Sequence, residues 1–223
     1  ILTVFLFSFM SVGWGQSCIE GEEVEIWGEC FSIDETTSLG TALLLENENV
    51  GDIPPEIGEL INLIYINFGV NGNQHSQVTG EIPAEIGNLI NLTELSLWAN
   101  EIRGEIPTSL GNLTNLTHLQ LDENNLTGNI PASLGNLDNL ACLSLNSNQL
   151  TGEIPESIGD LPNLEILELQ MNQLNGEIPE SICNLSHIFT NATFRYNQFC
   201  PPYPDCGNGS ITSEEQQNTS NCP

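Results

Sequence analysis

The sequence predicts an α/β solenoid, a fold in which one short unit is stacked repeatedly along a single axis. A Gly-x-Ile-Pro tetrapeptide occurs six times, beginning at Gly51, Gly80, Gly104, Gly128, Gly152 and Gly176. The last five copies are each 24 residues apart, and an asparagine recurs at one register of the units. A fixed period of this length is typical of solenoids, whose single units are stable only when they are stacked on their neighbours.

Each unit begins with a short strand. In the unit from Leu92 to Leu113, Leu95 and Leu97 alternate with the polar residues Glu94 and Ser96. This two-residue period predicts a strand with one buried face and one exposed face.

A corner and a short helical segment follow the strand. After Asn100, aliphatic residues recur at steps of three and four, namely Ile102, Ile106, Leu110 and Leu113. This spacing indicates a turn and then about one turn of helix. Gly104 allows backbone angles that other residues avoid, and Pro107 ends the strand.

The recurring asparagines predict a ladder between coils. They are Asn71, Asn100, Asn124, Asn148, Asn172 and Asn197. An amide side chain both donates and accepts, so it can bind backbone groups that the buried corner would otherwise leave unpaired. We expect these residues to be structural.

The pattern L-x-x-L-x-L-x-x-N-x-L-x-G-x-I-P-x-x-L-G-x-L resembles the plant-type leucine-rich repeat, over residues 39–206. The resemblance implies a curved stack with a parallel sheet on the concave side and short 3-10 helices on the convex side. It also implies binding of proteins, peptides or glycans outside the cell, although a fold by itself does not identify a ligand.

The chain divides into four predicted regions. Residues 1–16 form an apolar run that ends in small residues, as in a truncated signal peptide. Residues 17–38 form an amino-terminal cap, residues 39–182 the repeats, and residues 183–223 the last repeat with a cysteine-rich cap. The run from Trp27 to Cys30 resembles the end of a plant-type cap. The long helical part of that cap is missing, which favours a bacterial or protist source.

Six of the seven cysteines are predicted to form disulfides at the two ends. Cys18 and Cys30 bracket the amino-terminal cap, and a disulfide between them would hold it closed. The four carboxyl-terminal cysteines allow three pairings, and adjacent coils favour Cys183–Cys206 with Cys200–Cys222. The seventh, Cys142, is predicted to be a free thiol that faces the concave surface.

The charge excludes some partners. Thirty acidic residues against two arginines give a formal charge of −28, so the chain is not expected to bind nucleic acid or an anionic membrane. The acids act as a solubility coat or attract a basic partner or Ca²⁺. No dense carboxylate loop occurs, and we predict neither a metal site nor a cofactor. No second apolar segment follows the first, so no membrane span is predicted.

The concave face is the predicted ligand surface, because residues that flank the buried strand leucines point towards it. The selected residues are Tyr65, Trp98, His118, Gln120, Asp122, Asn146, Glu168, Gln170, Arg195 and Tyr196. An outward tryptophan on a strand is typical of a binding anchor, so Trp98 is either a contact for a sugar or peptide or packs on His118 or Tyr65. The acids favour a basic or hydroxyl-rich ligand.

Two arrangements could support catalysis, and neither is complete. Cys142 and His118 share a register on strands that would lie about 4.8 Å apart. A Cys/His nucleophile also needs an orienting group and an oxyanion site, and the sequence indicates neither. Glu94, Asp122 and Glu168 lie on an open face, without the cleft that separates the roles of two carboxyls in a glycosidase. We therefore expect no enzyme.

The predicted function is a secreted or cell-surface recognition module that binds a protein, peptide or glycan on its concave face. Two alternatives stay open. The repeats could form a rigid spacer or surface-layer component without a ligand, or a regular array that binds ice.

Overall fold

A computed structural model describes residues 18–27, 29–36, 38–40, 51–69, 78–188, 192–206 and 212–222. The predicted signal peptide, the amide of Asn71 and the run from Ala42 to Leu45 lie outside the described residues.

Short strands recur along the stack. In chain order the strands are β1 (Glu23–Ile26), β2 (Glu29–Ser32), β3 (Ser38–Gly40), β4 (Tyr65–Asn67), β5 (Glu94–Ser96), β6 (Arg103–Glu105), β7 (His118–Gln120), β8 (Asn125–Thr127), β9 (Cys142–Ser144), β10 (Ile166–Glu168), β11 (Asn175–Gly176), β12 (Ala192–Thr193) and β13 (Gln198–Phe199). One parallel sheet contains β3, β4, β5, β7, β9, β10 and β12, side by side in that order. Each coil thus contributes one strand, which confirms the predicted solenoid. Two smaller parallel pairs, β6 with β8 and β11 with β13, follow the corners.

Short 3-10 helices form the side of the stack opposite the sheet. They are Pro55–Glu59, Ala84–Asn88, Thr108–Asn112, Ala132–Asn136, Glu156–Ile158 and Glu180–Ile188, and Glu214–Gln216 and Thr219–Asn221 follow in the terminal cap. The helix Thr108–Asn112 begins directly after Pro107, whose φ of −62° is the value that the ring imposes. Neighbouring helices approach closely, because a Cβ added to Gly111 would overlap the backbone carbonyl of Ser133.

The asparagine ladder is confirmed in the described coils. The Nδ2 group of Asn124 donates to the carbonyl oxygens of Leu97 (2.8 Å) and Leu121 (3.2 Å), and its Oδ1 accepts from the Ile102 amide (3.0 Å). The same arrangement recurs at Asn100, Asn148, Asn172 and Asn197. One side chain per coil therefore pairs backbone groups of two coils.

Two further ladders were not predicted. A second set of asparagine amides donates to the backbone of the preceding coil, as Asn115 does to the Ile90 oxygen at 2.9 Å, and its other members include Asn91, Asn139 and Asn163. Serines between the helices donate in the same way, as Ser133 does to the Thr108 oxygen at 2.7 Å. The coils are therefore joined at the strand corner, on the return and between the helices.

Both ends are closed by disulfides with the predicted pairing, Cys18–Cys30, Cys183–Cys206 and Cys200–Cys222. At the amino-terminal end, β1 and β2 form an antiparallel hairpin, and Trp27 packs edge-on against Phe68 with ring centroids 5.1 Å apart. At the other end Phe194 and Phe199 replace the aliphatic residues of the core, and both are buried. These rings cover apolar surface that has no neighbouring coil.

Two local details complete the core. The strand of the first coil, Ser38–Gly40, pairs in parallel with β4. Val78, two residues before Gly80, is fully buried, and its amide donates to Asn100 Oδ1. Val78 occupies the register of the buried Ile102, so this coil supplies the same core position as its neighbours.

Candidate functional site

The polar positions of the sheet form three rows that cross the strands. The first row contains Tyr65, Glu94, His118, Cys142 and Ile166, which the parallel register places side by side. The second contains Asn67, Ser96, Gln120, Ser144, Glu168 and Thr193. Two residues further on, the third contains Gly69, Trp98, Asp122, Asn146, Gln170 and Arg195. We call these three rows together the concave face.

Nine of the ten predicted ligand residues lie in these rows, and Tyr196 lies just beyond the third. Backbone hydrogen bonds keep the residues of the third row aligned from coil to coil. The Ala99 amide donates to the Asp122 carbonyl oxygen, and the Met171 amide donates to the Arg195 carbonyl oxygen. Tyr196 has a positive φ of 59° and a side chain that is 65% exposed, at the junction with the terminal cap. The role of these residues in binding stays a prediction.

The centre of the concave face is rich in hydrogen-bond acceptors. The Ser144 hydroxyl lies 2.7 Å from Glu168 Oε2 and 2.9 Å from Asn146 Oδ1, and it is also a partner of the Asp122 carboxylate. A hydroxyl has one proton, so it satisfies one of these three acceptors at a time. Asp122 also accepts from its own backbone amide, and the lone pairs that remain on the carboxylates can accept from water or from a ligand.

Burial also makes the charged form of the carboxylates on this face less stable. It raises the pKa of the Asp122 carboxyl, and the charges of Glu123 and Glu168 act in the same direction, while hydrogen bonds from its own backbone amide and Ser144 oppose it. Burial also raises the pKa of Glu94, against the attraction of His118. A cation that binds here removes part of the cost of keeping half-buried carboxylates charged.

Trp98 packs on the backbone of the preceding coil. Its indole lies over Gly69, where an added Cβ would overlap Nε1 and Cδ1 of the ring. The packing interpretation of Trp98 therefore holds with a different neighbour from those expected, because Gly69 leaves the space that a side chain would fill. Tyr65 is also held in place, since its hydroxyl accepts from Asn67 Nδ2 at 2.7 Å. Both side chains are half-buried, so part of each remains exposed on the concave face.

Cys142 is free, as predicted, but its thiol is not presented outward. The side chain lies in the first row, yet it is only 6% exposed, because neighbouring side chains of the face cover it. Burial raises its pKa to about 11, and the charges of Glu168, Asp122 and Glu94 add to the shift. A thiol with this pKa stays protonated at neutral pH and is a poor nucleophile, although His118 is its register partner.

In the described part of the chain, no three His, Cys, Asp or Glu side chains converge as metal ligands. None of the described helices has the length and apolarity that a bilayer span requires.

Ser144 is not among the ligand residues selected from the sequence, and the terminal cap was predicted only to close the stack. A serine on a strand has no distinctive pattern, and only its register, between Gln120 and Glu168, places it among the acceptors. The cap segment from Glu215 to Asn218 has no periodicity that would relate it to the sheet.

Comparison with known families agrees with this geometry. A leucine-rich-repeat family model matches residues 90–150, and a second leucine-rich-repeat model matches residues 163–185. The chain is a leucine-rich-repeat solenoid. Comparison with curated proteins found no match.

Several solved structures resemble this leucine-rich-repeat solenoid. The PEPR1–AtPEP1 complex is 36% identical with a TM-score of 0.65, and the match covers 76% of this chain and 23% of that one. The Arabidopsis receptor kinase HAESA, in complex with the peptide hormone IDA and the co-receptor SERK1, is 36% identical over 73% of this chain and 28% of that one, with a TM-score of 0.59. The Arabidopsis thaliana receptor kinase GASSHO1/SCHENGEN3, with CASPARIAN STRIP INTEGRITY FACTOR 2, is 36% identical over 67% and 20%, with a TM-score of 0.54. The solenoid spans about a quarter of the length of these chains.

Proposed function

We propose that this solenoid is an extracellular, non-enzymatic recognition module whose concave face binds a peptide or a protein segment. The observation that carries the proposal is the acceptor-rich centre, where Asp122, Asn146 and Glu168 surround the single proton of Ser144. A peptide supplies backbone amides and basic side chains, which are the donors that this surface lacks.

Three further features support the proposal. The similar structures include the receptor kinase HAESA, which was solved with the peptide hormone IDA. Three disulfides fit an oxidising compartment outside the cytosol. The protonated, covered thiol of Cys142 argues against a nucleophilic enzyme.

The ligand chemistry follows from the charges. Glu94 lies in β5, Asp122 follows β7 and Glu168 lies in β10. Arg195 lies at the far end of the third row. We expect a lysine or arginine of the ligand over the acidic centre. The exposed side chains of Ile166 and Met171 would then contact apolar residues of the same ligand.

The experiment is selection of binders from a displayed random peptide library, with the oxidised protein as the target. We expect enrichment of peptides with at least one basic residue. The Trp98→Ala/Tyr65→Ala protein, checked for folding by circular dichroism, is added in solution as a competitor. It should compete poorly with the wild type for the selected peptides. No enrichment would favour the spacer function, and undiminished competition by the double variant would move the site to another face.

A further inference from the structure

A cavity separate from the concave centre lies where the terminal cap joins the last coil. Its volume is 380 Å³, within the range of small-ligand sites. Its lining includes Tyr196, Gln198, Glu215, Gln216, Gln217 and Asn218. No comparison and no sequence motif assigns a role to it.

The walls of the cavity are held in register by the backbone. The Tyr196 amide donates to the Gln216 oxygen, and the Asn218 amide donates to the Asn197 oxygen, both at 2.7 Å. Asn197 and Gln217 are partners in a parallel bridge, so the cap segment continues the stack by one more short edge. The cavity is therefore formed by two paired segments rather than by one loose loop.

Gln217 contributes an acceptor without a donor. Its Nε2 donates to Phe194 O at 3.0 Å and to Thr212 Oγ1 at 2.8 Å. Its Oε1 is buried, and no donor among the described residues reaches it. Rotating the amide would place oxygen against the Phe194 carbonyl, so the orientation is determined by its partners. An unpaired buried acceptor is costly, but this oxygen has no exposed surface, so the polar contacts open to a ligand are those of the other amides of the lining.

Tyr196 adds an exposed aromatic face beside these amides. Its side chain is 65% exposed, while its backbone is fixed, since the Asn172 amide donates to its carbonyl at 3.2 Å. An aromatic ring offers apolar contact area at a small loss of conformational freedom. A large exposed ring over a polar cavity fits a ligand with both C–H and hydroxyl surfaces.

The lining excludes two other ligand classes. It contains amides, one carboxylate and one phenol, with neither a cation nor an aliphatic side chain. A phosphate or sulfate would meet the charge of Glu215 without a counter-charge, and a lipid chain would find no apolar wall. Hydroxyl groups, which donate and accept, match amides that do the same.

We propose that this cavity binds one neutral saccharide unit of a glycan, with the Tyr196 ring against the sugar face and sugar hydroxyls against the Gln216 and Asn218 amides that line the cavity. The site goes beyond the peptide surface proposed above, because its residues belong to the terminal cap and the last corner. The proposal does not depend on peptide binding at the concave centre.

The test is isothermal titration of the oxidised protein with neutral gluco-, manno-, galacto- and N-acetylgluco-oligosaccharides. The protein is produced in a bacterial periplasm, so that the Asn218-Thr-Ser triplet carries no glycan of its own. We expect one oligosaccharide class to bind. Tyr196→Ala should weaken binding about tenfold through loss of the ring contact, whereas Tyr196→Phe should retain it within a factor of about three.

Ile90→Ala is the matched control, since it truncates another exposed apolar side chain far from the cap, and it should leave saccharide binding unchanged. Failure of every oligosaccharide to bind at millimolar concentration would overturn the proposal, as would equal affinity of the wild type and Tyr196→Ala. Peptide selection on the same protein samples tests the concave site independently. Peptide enrichment without saccharide binding would therefore overturn only the saccharide proposal.

Discussion

The Asn124 side chain donates to the carbonyl oxygen of Leu97 in the preceding coil, 2.8 Å away, and so links two turns of the stack. The Asn124 side chain also accepts a hydrogen bond from the Ile102 backbone amide and donates one to the Leu121 carbonyl oxygen. Backbone polar groups in the buried corner are thereby satisfied without a continuous strand ladder. This relationship repeats from coil to coil and maintains the register on which the concave face depends.

Replacing Asn124 with alanine should lower the free energy of unfolding by about 2–4 kcal/mol, because it leaves buried backbone groups of two coils unpaired. Chemical denaturation measures the loss. The matched control is Asn112→Ala, at an exposed position, which should change stability by less than about 0.5 kcal/mol. Equal losses in both variants would contradict the structural role of the ladder.

Gly111→Ala should destabilise the stack by about 1–3 kcal/mol, since its new Cβ overlaps backbone of the next helix and cannot be relieved by a side-chain rotation. Gly51→Ala is the control, because no atom lies within 4 Å of the added Cβ. We expect it to shift the thermal unfolding midpoint little in either direction. A comparable shift in both variants would show that the helices do not approach as closely as described.

The pH dependence of stability should carry a signature of Asp122. Its pKa is raised in the folded protein above the ordinary value of 3.8, so the folded state binds more protons than the unfolded chain just above pH 3.8. The contribution of Asp122 therefore stabilises the fold at lower pH and is lost as the pH rises through the folded pKa.

Asp122→Asn removes this contribution, so the stability difference between the variant and the wild type should change across that window and be constant at higher pH. Urea midpoints measured at successive pH values test it. A difference that does not vary with pH would show that the carboxyl is not perturbed.

Cys142 should resist alkylation in the native protein. Its thiol is covered and has a pKa of about 11, so little thiolate is present at neutral pH. Labelling with iodoacetamide, read by mass spectrometry, should be slow in buffer and proceed to one adduct in denaturant without reductant. Rapid native labelling would indicate an open, reactive thiol and would revive the nucleophile hypothesis.

The coil architecture could be predicted from the sequence because each coil repeats the same local choices. Leu95 and Leu97 are buried and Asn100 bonds its neighbours as the period indicates. Features set by contact between different coils could not be predicted. The side of the sheet that Cys142 faces follows from alternation, but its burial depends on surrounding side chains from other strands.

The terminal cavity is a second feature that could not be predicted from the sequence. Tyr196 could be placed near the concave face from its register, whereas Gln217 lies 21 residues later in a segment without a pattern. Their proximity depends on the bridge between Asn197 and Gln217, which no local rule indicates.

The central claim is that a ligand binds at the acidic centre of the concave face. The most direct measurement is isothermal titration of a selected basic peptide into the wild type, Asp122→Asn/Glu168→Gln and Glu105→Gln/Glu153→Gln. The two double variants remove the same charge, but Glu105 and Glu153 are exposed beside the Gly-x-Ile-Pro corners, away from the sheet. We predict that the first variant weakens binding at least about tenfold, whereas the second changes it less than about threefold. Equal losses of affinity in the two double variants would show that only the net charge attracts the peptide. That result would contradict a site on the concave face.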